Sequence, residues 1–185
     1  MRDYQKNIML YLGAFYVVCV LHVVPAQAGM VACASFTGEN QGEIAGEVTD
    51  QGKEDMNYVY GLRQDMYLPD NISTNYPASE KKQSPITLIM RVSKATPKLL
   101  QAWATGEKLT SVEIRFYRIT QTGTEEHYFT ISPRNCYIVS TKLWSPDSRD
   151  SNATGYTESF EVSLIYESIT FTYEPDGIQT VINNP

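Results

Sequence analysis

Short runs of β-branched and aromatic residues, separated by turn-forming residues, recur along this chain from residue 31 onward. Strand-length runs at such spacing are typical of β-sandwiches and barrels. The runs that we predict as strands span residues 31–37, 43–48, 57–67, 86–92, 111–120, 125–131, 136–144, 158–166 and 168–173. A break is expected at residues 132–135 and a final turn at 174–177. The sequence therefore predicts a mostly β protein, a barrel-like pair of packed antiparallel sheets.

Only one segment after residue 30 has a helical pattern. Thr96 is a suitable N-cap, Pro97 suits the first helical position, and Gly106 is a natural stop. We predict one short flanking α-helix from Pro97 to Thr105. Its apolar residues lie on one side at helical spacing. The side chains expected to pack it against the sheet are Leu99, Leu100 and Trp103.

The polar stretch between residues 69 and 85 is long for a connection inside a compact domain. It is rich in Pro, Asn, Ser and Lys. Loops of this length are usually functional or mobile. Both interpretations stay open on the pattern alone.

Charge and composition exclude several classes of function. The net charge of −6 repels phosphate backbones, so we predict no nucleic-acid partner. The three cysteines, Cys19, Cys33 and Cys136, lack the spacing of a zinc or redox site, and only two histidines occur, so we predict no metal and no cofactor. His127 has no partnered nucleophile in the pattern, and no paired-carboxylate motif occurs. The chain is therefore predicted not to be an enzyme.

The first 28 residues resemble a secretory signal peptide. Arg2 and Lys6 give a basic start, residues 8–24 are mostly apolar, and residues 26–28 form an A-x-A cleavage site. If the protein is exported to an oxidising compartment, Cys33 and Cys136 are candidates for a disulfide, provided that the fold brings them close.

Other interpretations of this segment remain open. Met30 is a possible true start, which would make residues 1–28 a mis-annotated extension. Residues 30–33 loosely resemble a lipobox, which would make Cys33 a lipid anchor. A retained membrane anchor is disfavoured by Pro25 and by the short apolar run.

Four segments in a distinctive order resemble the haemolysin-coregulated protein (Hcp) family, the tube subunit of type VI secretion. Residues 37–44 (TGENQGEI) are similar to the family's opening strand and turn, and residues 93–107 (SKATPKLLQAWATGE) to its helix. Residues 112–129 (VEIRFYRITQTGTEEHYF) are similar to its hairpin, and residues 161–177 (EVSLIYESITFTYEPDG) to its closing strands. One departure is Ser84, where family members often carry a histidine.

The resemblance implies a single Hcp-like β domain over residues 30–185 with a mechanical role. Six protomers would form a ring, and rings would stack into a tube that a sheath expels with a spike, with effectors in the lumen. The protein would assemble in the cytoplasm and reach the medium by type VI secretion, without stable membrane insertion. The family uses an extended loop for ring stacking. The corresponding residues here are Pro69, Asp70, Asn75, Tyr76, Lys81, Lys82 and Pro85.

Two rival functions remain to be distinguished. Family members usually lack a signal peptide. If residues 1–28 are a working one, the protein is expected to be periplasmic and could be an Hcp-like paralogue that acts as a periplasmic or surface binding module. An effector enzyme fused to a tube domain is disfavoured, because only eight residues, 178–185, follow the last turn.

Overall fold

The structure, a computed structural model, describes residues 31–68, 70–71, 76–77, 82–147, 149 and 157–184. Most of these residues are in strands, with one α-helix, α1 (Ala95–Thr105), and one 3-10 turn (Glu174–Asp176). The strands are β1 (Val31–Gly38), β2 (Gly42–Glu43), β3 (Asn57–Arg63), β4 (Met66–Tyr67), β5 (Asp70–Asn71), β6 (Tyr76–Pro77), β7 (Lys82–Gln83), β8 (Ile86–Arg91), β9 (Leu109–Ile119), β10 (Glu125–Trp144), β11 (Ser159–Ile165), β12 (Ser168–Tyr173) and β13 (Ile178–Asn183).

Six antiparallel strands close into a barrel in the order β11-β8-β3-β1-β9-β10, with β10 pairing back to β11. Closure gives every barrel strand a partner on both sides. Two further strands, β12 and β13, extend the sheet beyond the first half of β10. The predicted fold class, a mostly β barrel-like structure with one short helix, is therefore confirmed.

The predicted break at residues 132–135 is wrong. Strand β10 runs through it for 20 residues and serves two sheets: its first half pairs with β9 and β12, and its second half with β11. The change of partner falls at Asn135, which has a φ of 50°. Asparagine tolerates this left-handed conformation better than most residues do. The turn-forming residues thus bend the strand without ending it.

The core fills the barrel from alternate positions of its strands. On β11, Phe160, Val162 and Leu164 are fully buried, while Glu161 and Ser163 between them are only half-buried. This period-2 pattern is the one that the sequence predicts for a strand with one face in a core. The other large side chains that are fully buried include Phe36, Ile44, Ile86, Leu88, Met90, Leu99, Leu109, Ile114 and Ile169.

The segment after β2 departs from the predicted strand at residues 43–48. Only Gly42 and Glu43 pair with β1. In the following residues 44–56, Ile44 still enters the main core and the rest cross the outer face of the sheet. There Val48 and Met56 pack on Cys33 and Tyr117 in a second, smaller buried cluster. One outer face of the barrel is therefore covered by the chain itself.

Helix α1 begins at Ala95, two residues before the predicted start. The Ser93 side chain, not Thr96, caps it: Ser93 Oγ accepts the Ala95 N–H at 3.2 Å, and Thr96 Oγ1 accepts the Ser93 N–H at 3.1 Å. The helix ends at Gly106, whose φ of 67° matches a left-handed stop. In the described part of the chain, no helix has the length and apolar character needed to cross a membrane.

Candidate assembly surfaces

The helix packs against the barrel through two of the three predicted side chains. Leu99 is fully buried in the main core, and Leu100 packs partly against it. Trp103 is 49% exposed, so its predicted packing role is wrong. The buried residues of α1 are Ala95, Thr96, Leu99 and Ala102. At about 100° per residue, Trp103 lies only about 40° from Leu99, so it is on the core side of the helix and is nevertheless half exposed. Trp103 therefore adds an apolar group to the surface.

The long polar segment forms a β-ribbon that is separate from the barrel sheet. Strand β4 pairs with β7, and β5 pairs with β6 farther out. At the neck, the Ser84 N–H donates to the Asp65 carbonyl at 2.9 Å, and Ser84 Oγ accepts the Asp65 N–H at 2.8 Å. The hydroxyl of the buried Tyr166 donates to Gln83 Oε1 at 2.6 Å and accepts from the Gln64 amide. We call residues 64–85 the ribbon.

The predicted stacking residues are spread along this ribbon. Asp70 lies in β5, Tyr76 in β6 and Lys82 in β7, and Pro85 precedes β8. Pro69, Asn75 and Lys81 lie outside the described residues. Their role in ring stacking stays a prediction.

Apolar side chains near the base of the ribbon are exposed. Met66, Tyr67 and Leu68 are 41%, 57% and 41% exposed. Exposed apolar groups placed together on a separate ribbon are typical of a contact surface. The sequence prediction, which began at Pro69, missed all three.

A buried carboxylate joins two of the segments that carry the family resemblance. Glu107, directly after the helix, is 7% exposed and sits under the turn between β1 and β2. Its Oε1 accepts the N–H groups of Asn40 and Gln41, each at 2.8 Å, and its Oε2 accepts Gln41 Nε2 at 2.9 Å. A Cβ on Gly38 would clash with the Glu107 carboxylate and displace it from these bonds. The hydrogen bond from the Gln41 backbone leads the interactions that lower the pKa of Glu107.

A buried lysine holds the 44–56 segment against the hairpin of β9 and β10. Lys53 is 4% exposed, and its Nζ lies 2.6 and 2.7 Å from the two carboxylate oxygens of Glu125. The same ammonium lies 4.2 Å from the ring centroid of Tyr117. Burial lowers the pKa of Lys53, but the hydrogen bond and charge of Glu125 outweigh it and the pKa is raised. The sequence pattern carried no signal for this pair.

The proposed disulfide does not fit the fold. Cys33 lies opposite Arg115 of β9, whereas Cys136 lies opposite Leu109 of the same strand. Six residues of strand span about 20 Å, far beyond the roughly 7 Å limit for a disulfide. Both thiols are free and buried, and burial raises the pKa of Cys33 to about 11 and that of Cys136 to about 12. The disulfide hypothesis is wrong for the single chain.

His127 has hydrogen-bond partners, but they do not form a catalytic triad. Thr130 Oγ1 donates its single hydrogen to the Glu174 carboxylate, so it accepts from His127 Nε2 at 2.9 Å. The carboxylate therefore holds the hydroxyl and not the imidazole, and the protonated Nε2 cannot act as a base toward Thr130. Among the described residues, no group of three or more His, Cys, Asp or Glu is placed to hold a metal.

An open recess of about 470 Å³ lies on the outer face of the barrel. Tyr137 and Ile165 form a cross-strand pair in it, and each is 43% exposed. Lys108 and Glu167 also line it, and each is bonded to a neighbouring side chain. The recess offers apolar contact area to another protein more than a polar ligand site.

One known family matches most of this chain, including the barrel, the flanking helix and the ribbon. A family model described as "Type VI secretion system effector, Hcp" matches residues 35–173, well over half of the 185 residues. The chain belongs to the Hcp family.

Similarities to individual Hcp proteins support this assignment. The chain is 29% identical over 157 residues to the "Major exported protein" of Pseudomonas aeruginosa, covering 85% of this chain and 89% of that relative. The structure described as "Secreted protein Hcp3 from Pseudomonas aeruginosa" matches with a TM-score of 0.67 at 28% identity, covering 84% of this chain and 99% of that one. A further "Hcp protein" crystal structure shares the fold, with a TM-score of 0.77 at 22% identity over 83% of this chain and 97% of that one.

Family membership gives this Hcp chain its broad role. Hcp proteins are structural tube proteins of type VI secretion and not a class of enzymes. The resemblance predicted from four sequence segments is therefore confirmed, and two of those segments meet at Glu107.

Proposed function

We propose that this Hcp chain assembles into hexameric rings that stack into a tube. A contracting sheath would expel the tube together with a spike, and effectors would ride in the lumen. The observation that carries the proposal is the family match over residues 35–173. Exposed apolar groups on the ribbon, on α1 and in the recess support it, because an assembly needs contact surfaces that a monomer leaves open.

Ring formation has a direct test. Native mass spectrometry of the chain expressed from Met30, at micromolar concentration, is expected to give the mass of six subunits. A monomer under these conditions would contradict the ring. The full chain is measured beside it, so that any effect of residues 1–28 on assembly is seen.

The ribbon is proposed as the contact between rings. Strands β4–β7 pair only with one another among the described residues, so they add nothing to the barrel sheet. A separate ribbon with exposed Met66, Tyr67 and Leu68 can reach a neighbouring ring while the barrel stays intact.

Shortening the ribbon is expected to abolish stacking and to leave rings intact. Replacing residues 68–81 by Asn-Gly joins Tyr67 to Lys82, a cross-strand pair that a two-residue turn can link. The neck bonds of Asp65, Ser84 and Gln83 are retained. Negative-stain electron microscopy should show single rings in place of stacks, with a ring mass that is still six subunits. Stacks as long as those of the unaltered protein would contradict the assignment.

We also propose that residues 30–185 are the working domain. The alternative is a Sec-exported Hcp-like binding module, which the signal-like features of residues 1–28 favour. The two differ in where the protein is found and in whether its release depends on the contractile machine.

A further inference from the structure

Exposed apolar side chains flank the point where residues 1–30 join the first strand. Val31, the first residue of β1, pairs with Tyr117 of β9, and β3 runs along the other side of β1. Tyr60 of β3 and Ile119 of β9 are both exposed. From the pairing register, their Cα atoms lie within about 9 Å of the Val31 Cα. The chain therefore enters the barrel between two exposed apolar groups.

The base of the ribbon lies within reach of the same point. Strand β3 ends at Arg63, and the exposed Met66, Tyr67 and Leu68 follow directly along the chain. At about 3.3 Å per residue, the Leu68 Cα is at most about 31 Å from the Val31 Cα. We call the five exposed apolar side chains near this point the entry patch: Tyr60, Met66, Tyr67, Leu68 and Ile119.

Residues 8–24 are a mostly apolar run that precedes this point in the chain. An apolar run of this length in water favours aggregation, so a chain that keeps it needs an apolar surface to cover it. Residues 25–30 join the run to Val31 and can span about 20 Å. The run itself spans about 25 Å even at the short rise of a helix. It is therefore long enough to cover the whole entry patch.

We propose that residues 8–24 of the full chain bind the entry patch of the same molecule and cover the base of the ribbon. The short connection to Val31 favours this occupant, because it gives the run a high effective concentration at the patch. Charge favours it as well. Arg2 and Lys6 precede the run, and the whole chain has a net charge of −6, so the basic start is attracted to the rest of the molecule.

The contact gives residues 1–28 a role in assembly, and this step rests on the proposed role of the ribbon in stacking. While the run covers Met66, Tyr67 and Leu68, the ribbon cannot present them to a neighbouring ring. Loss of residues 1–28, by cleavage after Ala28 or by a start at Met30, frees the ribbon. By negative-stain electron microscopy, we expect single rings from the full chain and stacks from the chain that starts at Met30.

Oxidation of Met66 by dilute hydrogen peroxide reports whether the patch is covered. Met66 is 41% exposed, whereas Met56 and Met90 are buried and serve as internal controls. The full chain, made by cell-free synthesis without membranes, is compared with the chain from Met30, each at a concentration where native mass spectrometry gives monomers. We expect Met66 to be oxidised at least about fivefold more slowly in the full chain, because methionine oxidation follows exposure. Peptide mass spectrometry measures each rate.

Two aspartates placed in the apolar run test the contact, and the same two charges placed outside it are the matched control. Val17→Asp with Val18→Asp brings carboxylates against an apolar patch, where burial without a partner is costly. We expect this variant to restore Met66 oxidation to within about twofold of the rate in the chain from Met30. Gln5→Asp with Asn7→Asp lies outside residues 8–24 and should leave Met66 protected.

The outcomes separate the docking from the stacking. Equal Met66 oxidation in the full chain and in the chain from Met30 overturns the docking, whatever the two chains assemble into. Protection that is lost on further dilution identifies a second copy as the occupant and also overturns it, as does a full chain that stays aggregated. If Met66 is protected in the full chain but the chain from Met30 does not stack, the docking holds and the proposed role of the ribbon fails.

Discussion

Replacing Leu99 by alanine is expected to lower the free energy of unfolding by about 2–5 kcal/mol, the usual range for a leucine truncated in a packed core. Leu99 is fully buried in the main core cluster, and close-packed neighbours relax only partly into the cavity that its removal leaves. Urea unfolding of the monomeric chain, followed by circular dichroism, measures the change.

Trp103→Ala is the matched control on the same helix. Trp103 is larger than Leu99 but 49% exposed, so its removal is expected to cost about 1–2 kcal/mol, less than the loss for Leu99→Ala. Side-chain size alone would instead predict the larger loss of stability for Trp103→Ala. A larger loss for Trp103→Ala than for Leu99→Ala would mean that Trp103, and not Leu99, is the main anchor of the helix.

Glu107→Ala is expected to lower the free energy of unfolding by about 3–5 kcal/mol, because it removes three hydrogen bonds to a charged acceptor. It also leaves the N–H groups of Asn40 and Gln41 without the acceptor that they have under the turn. Glu39→Ala is the control: Glu39 pairs with Lys108 at 2.7 Å on the surface, and its loss should cost no more than about 1 kcal/mol.

Glu107→Gln adds a test by pH. The pKa of Glu107 is lowered in the folded protein, so its charge stabilises the fold above the unfolded pKa of about 4.3 and this contribution disappears as the pH falls through the folded value. The difference in stability between the unaltered protein and Glu107→Gln should be largest at neutral pH and shrink below about pH 4. A difference that does not change with pH would show that the carboxylate charge is not what holds the turn.

The local sequence pattern was sufficient to predict most strands. It was insufficient where one strand pairs with two different sheets. The alternation at Phe160, Val162 and Leu164 predicted β11 well, because one face of the strand is buried in the core and the other is not. Strand β10 was divided at Pro133 and Asn135 because these residues usually end strands. The barrel needs a bend there so that one strand can join two sheets, and this demand comes from the whole topology.

The contacts that carry the candidate surfaces are between residues far apart in sequence. Glu107 lies 66 residues from Gln41, and Lys53 lies 72 from Glu125, so no window of sequence contains either pair. For Glu107 a signal existed, since both halves belong to segments that resemble the family. For Trp103, the helical pattern did not determine how deeply each apolar residue is buried.

The measurement that tests the central claim most directly is the location and N-terminus of the protein in its native host, with and without a working sheath. A type VI tube subunit is expected in the cytoplasm with a chain that starts at Met30 or Val31, and in the medium only when the sheath can contract. Intact mass and N-terminal sequencing of each cell fraction give both facts. A chain that starts at Gly29 and accumulates in the periplasm without the sheath would contradict the tube and favour an exported binding module.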